Sequence, residues 1–497
     1  MELKKNAIIE LTISDLAFGG SGVAKLGDLA VFVERAVPGD KILARLTRIK
    51  SSYAEAKLEK LVEASPERVS ARCKHFGVCG GCSFQNLNYE NQLKWKWKMV
   101  SDALARIGGF RDAKIEPIIG CESPWFYRNK MEYSFGASFQ SKPLHDDDSQ
   151  FSSIAPHPSP LSLGLHPSGN FREVFNLEEC FLQSELSVKI ARAVRQWAQE
   201  NNLGAELLRN LIVREGKNTG EIMVNLVTHG SLPALPTGQA GGRQENFPLA
   251  NDFKKWIVSA FPQITSLYCT AITVQRGKRT AVNEFHLAGK PHLTETLRIQ
   301  TSPVILSGTP LSGTNPPSLT FEIAPQAFFQ PNTLQAEILY GKILEFAEAD
   351  ADDIILDLFC GTGTIGLAFA GLAKQVFGIE INKSATESAK SNAALNKITN
   401  AEFICGDVGK LLPSISKVGR PTIIITDPPR AGIDQKTLLK ILDLKIPKWI
   451  YVSCNPTTLA RDLKIVGENG YKIKRIQPVD MFPHTYHVET VCLLETH

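Results

Sequence analysis

From about residue 321 onward, short apolar runs alternate with helix-patterned stretches, and this regularity restricts the fold more than any other feature of the chain. The runs are IILDLF, QVFGIEI, AEFICGD, TIIITDPP, KWIYVS and ETVCLLE. Most read as strands buried on both faces, and helical stretches separate most of them. That alternation predicts an open, mostly parallel α/β sheet. Ligands of such sheets bind outside the carboxyl ends of the strands, so the residues leaving each strand are the ones to inspect.

The first exit is DIILDLFCGTGTIGLAFA (353–370), a strand, a glycine-rich turn and a helix. Glycines let the backbone approach a ligand, and a helix N-terminus favours negative charge. Gly361, Gly363 and Gly366 can be fitted to a dinucleotide fingerprint. The flanks point instead to S-adenosylmethionine. Asp357, at the strand end, suits the cationic amino-acid end of that molecule. Glu380 ends the next strand, 19 residues beyond Gly361, where a carboxylate can hold two ribose hydroxyls. Asp407, in FICGDV, is available to an adenine amine.

TDPPRAG (426–432) ends the fourth strand. Enzymes that methylate exocyclic amines follow a similar Asp/Asn-Pro-Pro with an aromatic residue that stacks on the flipped base, but here Arg430 takes that place. A carbon target is therefore favoured. C5 of a pyrimidine is a poor nucleophile until a thiolate adds to C6, and a base must later remove the C5 proton. Cys454, in YVSCNPTTLARD (451–462), leaves a buried strand just before Asn455, a suitable N-cap, and Pro456, a suitable first helical residue. The helix dipole is expected to lower its pKa. Glu489, at the start of the last strand, is the candidate base, with His484 and His487 as alternatives. Cys360, inside the glycine turn, is the rival nucleophile, and Cys405 and Cys492 are expected in the core.

The rest of the chain differs in kind. Residues 6–62 read as five short strands separated by turns such as FGGSG and VPGD, which predicts a small closed barrel of the OB type. Residues 1–10 lack a signal peptide's apolar run, and no stretch suits a membrane span, so a cytoplasmic location is expected. There, ten cysteines are not a disulfide framework, and clustered ones imply metal binding or catalysis. CKHFGVCGGC supplies Cys73, Cys79 and Cys82, and NLEECFL offers Cys180 as a fourth thiolate, with Cys121 as competitor. By spacing alone, zinc and a four-iron cluster both remain possible.

A net charge of +4 means that any nucleic acid must be met by local patches. Lys41, Arg45 and Arg48, on one barrel strand, are the expected phosphate grip. NQLKWKWKMV (91–100) reads as buried tryptophans beside solvated Lys94, Lys96 and Lys98. WFYRNKMEYSFG (125–136) places Arg128 and Lys130 among aromatics that either stack bases or fill core. The stretches 141–160 and 231–248 are aperiodic and polar, and are expected to be loose insertions.

AFFQPN (327–332), LDLFCGTGTIGL, TDPPRAG, YVSCNPTTLARD and DMFPHTYHVETVCLL together resemble the RNA uracil-C5 methyltransferase family, in its 23S ribosomal RNA type with a TRAM domain and an iron–sulfur cluster. The resemblance implies a Rossmann-like S-adenosylmethionine-dependent domain over 321–497. It also implies an OB-like TRAM barrel over 1–64 and a central α+β cluster-bearing domain over 65–320. It makes Cys454 the nucleophile, Glu489 the base and Asp427 a catalytic or cofactor contact. Gln330, the Phe359 backbone, Gly361, Thr364, Glu380 and Asp407 become cofactor contacts, although many members carry Asn where this chain has Thr364. It implies a [4Fe–4S] cluster on Cys73, Cys79, Cys82 and Cys180, and sets Arg128 and Asn129 near the RNA. A monomer is expected, acting on 23S rRNA, with a transfer-RNA uridine as the alternative substrate and a non-catalytic iron–sulfur RNA-binding or assembly factor as the alternative function.

Overall fold

The computed structural model describes residues 4–137, 161–230, 248–274, 277, 280–299, 318–415 and 419–496. Apart from Pro248, the two stretches expected as insertions lie outside these residues.

The first sheet contains β1 (Ile8–Thr12), β2 (Asp15–Leu16), β3 (Gly22–Leu26), β4 (Leu29–Glu34), β5 (Lys41–Ile49) and β6 (Tyr53–Glu63), in the order β1-β5-β6-β4-β3-β2. The two-residue β2 adds to the five strands expected. Period-two alternation drives the curl: in β5, Ile42, Ala44 and Leu46 are fully buried against Leu11, Val31, Val33 and Ala54. The intervening Lys41 and Arg45 face outward and pair with Glu63 and Glu59 of β6.

Next comes α1 (Tyr89–Ala103), capped by Asn88 and carried on by a π-helical turn at residues 104–108. Lys96 departs from expectation: it is fully buried, with Nζ 2.6 Å from Asp480 Oδ1 and donating to Phe482 O at 2.9 Å. The inward face of α1 meets the loop before the last strand, so the ammonium has a partner there in place of water. Lys94 stays outside and pairs with Glu67.

The central sheet holds β7 (Lys130–Gly136), β8 (Ser162–Leu165), β9 (Phe175–Asn176), β10 (Leu208–Glu215), β11 (Ile222–His229), β12 (Ser266–Thr273) and β13 (Ala281–Gly289). Its order is β13-β12-β11-β10-β7-β8-β9, antiparallel except for β11–β12. Helices α2 (Glu185–Glu200) and α3 (Pro248–Ala260) bury Val188, Val194, Trp197, Phe253 and Ile257 against it. A two-stranded ribbon follows, β14 (Leu293–Arg298) with β15 (Ser318–Ile323).

The C-terminal part runs α4 (Thr333–Ala347), β16 (Ile354–Leu358), α5 (Thr364–Phe369), β17 (Gln375–Glu380), α6 (Lys383–Leu395), β18 (Ala401–Cys405), α7 (Val408–Ile415), β19 (Ile423–Thr426), α8 (Gln435–Asp443), β20 (Lys448–Ser453), α9 (Pro456–Glu468), β21 (Tyr471–Val479) and β22 (Glu489–Thr496). The sheet order is β18-β17-β16-β19-β20-β22-β21. Strands β16 to β20 are parallel, whereas β22 inserts antiparallel between β20 and β21. Central strands such as β19 are buried throughout, which explains their unbroken apolar runs. Cys492 is in the core as expected, but Cys405 is not: β18 is the edge strand, and this thiol at its end is exposed. Among the described residues no helix is long and apolar enough to cross a membrane.

Candidate active site

The strand exits converge at the carboxyl edge of the C-terminal sheet. Leu358 registers with Ile379 on one side and Thr426 on the other, which brings the 359–363 turn, Glu380 and Asp427 together. Thr426 in turn registers with Tyr451, and Ser453 with Thr490 in the antiparallel pair β20–β22. One step further along that register faces Cys454 with Glu489. An antiparallel last strand is what aims the Glu489 carboxyl back over the thiol.

The glycine turn is held from beneath. Gly366 N donates to Asp357 Oδ2 at 2.9 Å, Gly361 N to Glu380 Oε2 at 3.1 Å, and Cys360 N to Ile379 O at 3.1 Å. Phe359 takes φ +65°, a left-handed conformation costly for a non-glycine residue, and Gly363 takes φ +79°. A Cβ on Gly363 would come within 2.8 Å of Phe403 and 2.9 Å of Ala389. Gly361, by contrast, faces open space. Glu380 is fixed by a second backbone donor, Asn382 N, at 2.7 Å. Asp407 is exposed and caps α7 through Lys410 N at 3.0 Å, and Thr364 lies 3.3 Å from the Thr362 hydroxyl. Ile381, directly after Glu380, leaves an apolar side chain 68% exposed at this edge. The cleft therefore combines backbone donors, carboxylates and an uncovered apolar side chain, which suits an adenosyl ligand carrying a positive charge.

Burial raises the acids of this edge. Asp357 is pushed up to about 8, with one carboxyl oxygen lacking any partner, and Asp427 and Glu489 are both raised, Glu489 further by the charge of Asp427. Cys454, half-buried, is pushed up to about 12 by lost solvation and then by Glu489 and Asp427. This corrects the expected depression of its pKa. The chain supplies the anticipated cap, with Asn455 Oδ1 accepting Thr457 N at 3.0 Å and Pro456 at the first helical position. Desolvation and two nearby carboxyls outweigh that helix terminus. Arg430 acts the other way on both Cys454 and Glu489, and its carbonyl accepts Asn455 Nδ2 at 3.1 Å, tying the TDPPRAG turn to the cysteine loop.

The alternatives separate cleanly. Cys360 is buried beneath the turn, where a Cβ on Gly378 would approach its sulfur to 2.9 Å. His487 Nε2 sits 3.2 Å from Arg430 Nη2, so its lone pair is engaged. His484 stacks on Trp125 with centroids 3.6 Å apart, and its Nδ1 accepts from Gln92 Nε2 at 3.1 Å. Tyr340 on α4, buried against Asp427, Glu489 and Thr364, gave no signal in the sequence.

A profile of the tRNA (uracil-5-)-methyltransferase family matches residues 314–497, and a TRAM domain matches 2–58. An uncharacterized RNA methyltransferase of Halalkalibacterium halodurans is 35% identical, covering 99% of this chain and 98% of that one. One of Bacteroides thetaiotaomicron is 37% identical over 97% of this chain and all of that one. The chain belongs to the RNA uracil-C5 methyltransferase family. Among solved structures, the tRNA (uracil-54, C5)-methyltransferase of Pyrococcus abyssi in complex with S-adenosyl-L-homocysteine is similar, with TM-score 0.68 and 26% identity. The match covers 98% of this chain and all of that one. The C-terminal fold is accordingly that of an S-adenosylmethionine-dependent RNA methyltransferase.

In this family member the four anticipated cysteines, Cys73, Cys79, Cys82 and Cys180, line one cavity of about 330 Å³. Gly81 N donates to Cys79 Sγ at 3.3 Å and Gln85 Nε2 to Cys82 Sγ at 3.2 Å, the kind of donors that support a thiolate. Burial raises all four thiols, Cys73 to about 11 and Cys79 to about 12, so any metal must displace their protons. Among the described residues no group of three or more His, Cys, Asp or Glu closes around a single ion. Cys121 stands apart, its sulfur donating to Ser123 O at 3.2 Å.

The expected RNA contacts divide. Arg128 is half-buried at the cysteine cavity, with Nε donating to Lys130 O at 3.1 Å. Asn129 is 5% exposed and turns inward, giving Nδ2 to Gln330 O at 2.8 Å and to Thr333 Oγ1 at 2.9 Å. It holds the AFFQPN turn and presents no surface to an RNA. Lys41, Arg45 and Arg48 are paired with Glu63, Glu59 and Glu55, which reduces the barrel's free positive charge.

Proposed function

We propose that the enzyme methylates C5 of a uridine in structured RNA in the cytoplasm, through a covalent bond between Cys454 and C6, with Glu489 as the base. The observation that carries the reading is the convergence of Cys454, Glu489 and Asp427 at one strand edge beside the glycine turn. S-adenosylmethionine, when bound, supplies the electrophilic methyl group. The target uridine leaves its stack to reach this edge. Cys454 first loses its proton to solvent through its exposed side. The thiolate then forms the S–C6 bond and moves the C5–C6 electron pair onto C5, which becomes nucleophilic toward the methyl group. Glu489 next takes the C5 proton, and the released pair restores the C5–C6 double bond as the S–C6 bond breaks. In this reading Asp427 and Glu380 orient the ligands of the cleft, and Gln330, Phe359, Gly361, Thr364 and Asp407 serve as further cofactor contacts.

Cys73, Cys79, Cys82 and Cys180 suit a [4Fe–4S] cluster, four thiol ligands around one cavity with N–H donors to two of the sulfurs. Such a cluster would fasten the 73–82 segment to Cys180 without an open iron, a structural role. The protein purified anaerobically should be brown with about four irons per chain, and Cys73→Ser should lose iron and soluble yield together. A colourless protein with zinc would replace the cluster in this reading.

Two RNA substrates compete. The family resemblance favours 23S rRNA. The similarity to a Pyrococcus abyssi enzyme that acts on tRNA, extending over 98% of this chain, favours transfer RNA. Mapping 5-methyluridine in both RNAs from cells with and without the gene decides between them. Unchanged 5-methyluridine in both would sink the proposal.

A further inference from the structure

Between the cysteine cavity and the AFFQPN turn, three cations are gathered with little to neutralise them. Lys130 of β7 and Arg214 of β10 are direct cross-strand partners. Like charges placed opposite each other destabilise a sheet. Arg128, two residues before Lys130, adds to the repulsion, and together with burial and Arg214 it lowers the Lys130 pKa. Among the described residues, the one ion pair formed within this group is Lys130 Nζ–Glu132 Oε2, at 3.8 Å.

Arg214 sharpens the anomaly. It is 3% exposed, its Nη2 donates to Ala327 O, and its Nε has no partner. A buried guanidinium that feels the charge of Glu132 but forms no salt bridge with it is expensive to keep. Its carbonyl partner lies in the turn that carries Phe328 and Gln330. Lys130 keeps 32% of its side chain exposed and is the part of the cluster that a ligand can reach.

We propose that Lys130 and Arg214, with Arg128, form a binding site for a backbone phosphate of the RNA, next to the nucleotide delivered to Cys454. A phosphate supplies the anion that the fold omits. Lys130 contacts it directly, and Arg214 contributes its field from behind while fixing Ala327. The site rests on the RNA-methyltransferase reading and adds where the strand is gripped. It also explains how the enzyme can hold RNA although the barrel cations are paired with glutamates.

The test uses the full-length protein and an oligouridylate of about 20 nucleotides, with binding measured from about 50 to about 200 mM salt. Lys130→Gln should weaken binding about three- to tenfold at low salt and flatten the plot of log affinity against log salt by about 0.7, the loss of one contact to a single strand. Lys130→Arg should restore both, and S-adenosylmethionine affinity should not move. Arg214→Gln should reduce the slope too, but it risks misfolding, so Lys130 carries the decision. A slope identical to wild type in Lys130→Gln overturns the site. Formation of 5-methyluridine by the wild-type preparation is scored in parallel, so loss of the wider reading is recognised separately.

Discussion

Two charge concentrations lie on either side of the AFFQPN turn, and they are opposite in sign. The C-terminal sheet gathers Asp357, Asp427 and Glu489 at one edge, all raised by burial. The central sheet gathers Arg128, Lys130 and Arg214; burial lowers the last two, and Lys130 is lowered further by the neighbouring arginines. Each cluster is under-neutralised by its own protein. The acidic edge suits a sulfonium ligand and proton transfer, the basic one a phosphate. A parallel sheet collects its site from successive strand exits, whereas the antiparallel sheet makes its site from side chains on adjacent strands.

The largest effect should come from the acidic edge. Cys454→Ala should lower methyl transfer by at least about a thousandfold and leave S-adenosylmethionine binding intact, whereas Cys360→Ala should keep most activity. Isotope transfer to RNA and equilibrium binding of the cofactor check both. Glu489→Gln should accumulate an RNA–protein adduct on denaturing gels, because its C5 proton is not removed. An adduct that maps to Cys360 would overturn the assignment.

A smaller effect is linked to pH. Asp357 titrates near 8 in the folded protein, above the ordinary range of a carboxyl, so the folded state retains a proton that the unfolded chain has lost. Its contribution is therefore fully present at low pH and disappears as pH rises through about 8. The cofactor-free enzyme should melt at progressively lower temperature from about pH 4 to about pH 8 and level off above that, and Asp357→Asn should flatten that trend. A bound cationic cofactor should oppose it by favouring the ionised carboxylate. Melting curves with and without S-adenosylmethionine measure this.

The smallest effect concerns the bridge between the two clusters. Asn129 accepts Glu215 N from β10 on one side and holds Gln330 O and Thr333 Oγ1 on the other. Asn129→Ala should cost about 1–3 kcal/mol of stability and raise the KM for S-adenosylmethionine more than it lowers kcat. A change confined to RNA affinity would instead make Asn129 a direct RNA contact.

Short-range pattern was sufficient for much of this protein. Unbroken apolar runs such as Ile423–Thr426 identified the buried parallel strands, the glycine turn identified the cofactor edge, and Asn455-Pro456 marked the start of α9. Cysteine spacing singled out three thiols and left Cys180 and Cys121 as candidates for the fourth, between which the resemblance chose Cys180. These signals are local because backbone geometry and burial on both faces act within a few residues. What depends on distant partners was invisible. Lys96 looked solvated because Asp480 lies 384 residues away, and Asn129 looked available to RNA because Gln330 lies 201 residues away. Arg214 carried no signal until β10 paired with β7, and the Cys454 pKa followed from carboxyls brought in by register. Desolvation and Coulomb terms depend on what surrounds a charge in space, and only the tertiary fold decides that.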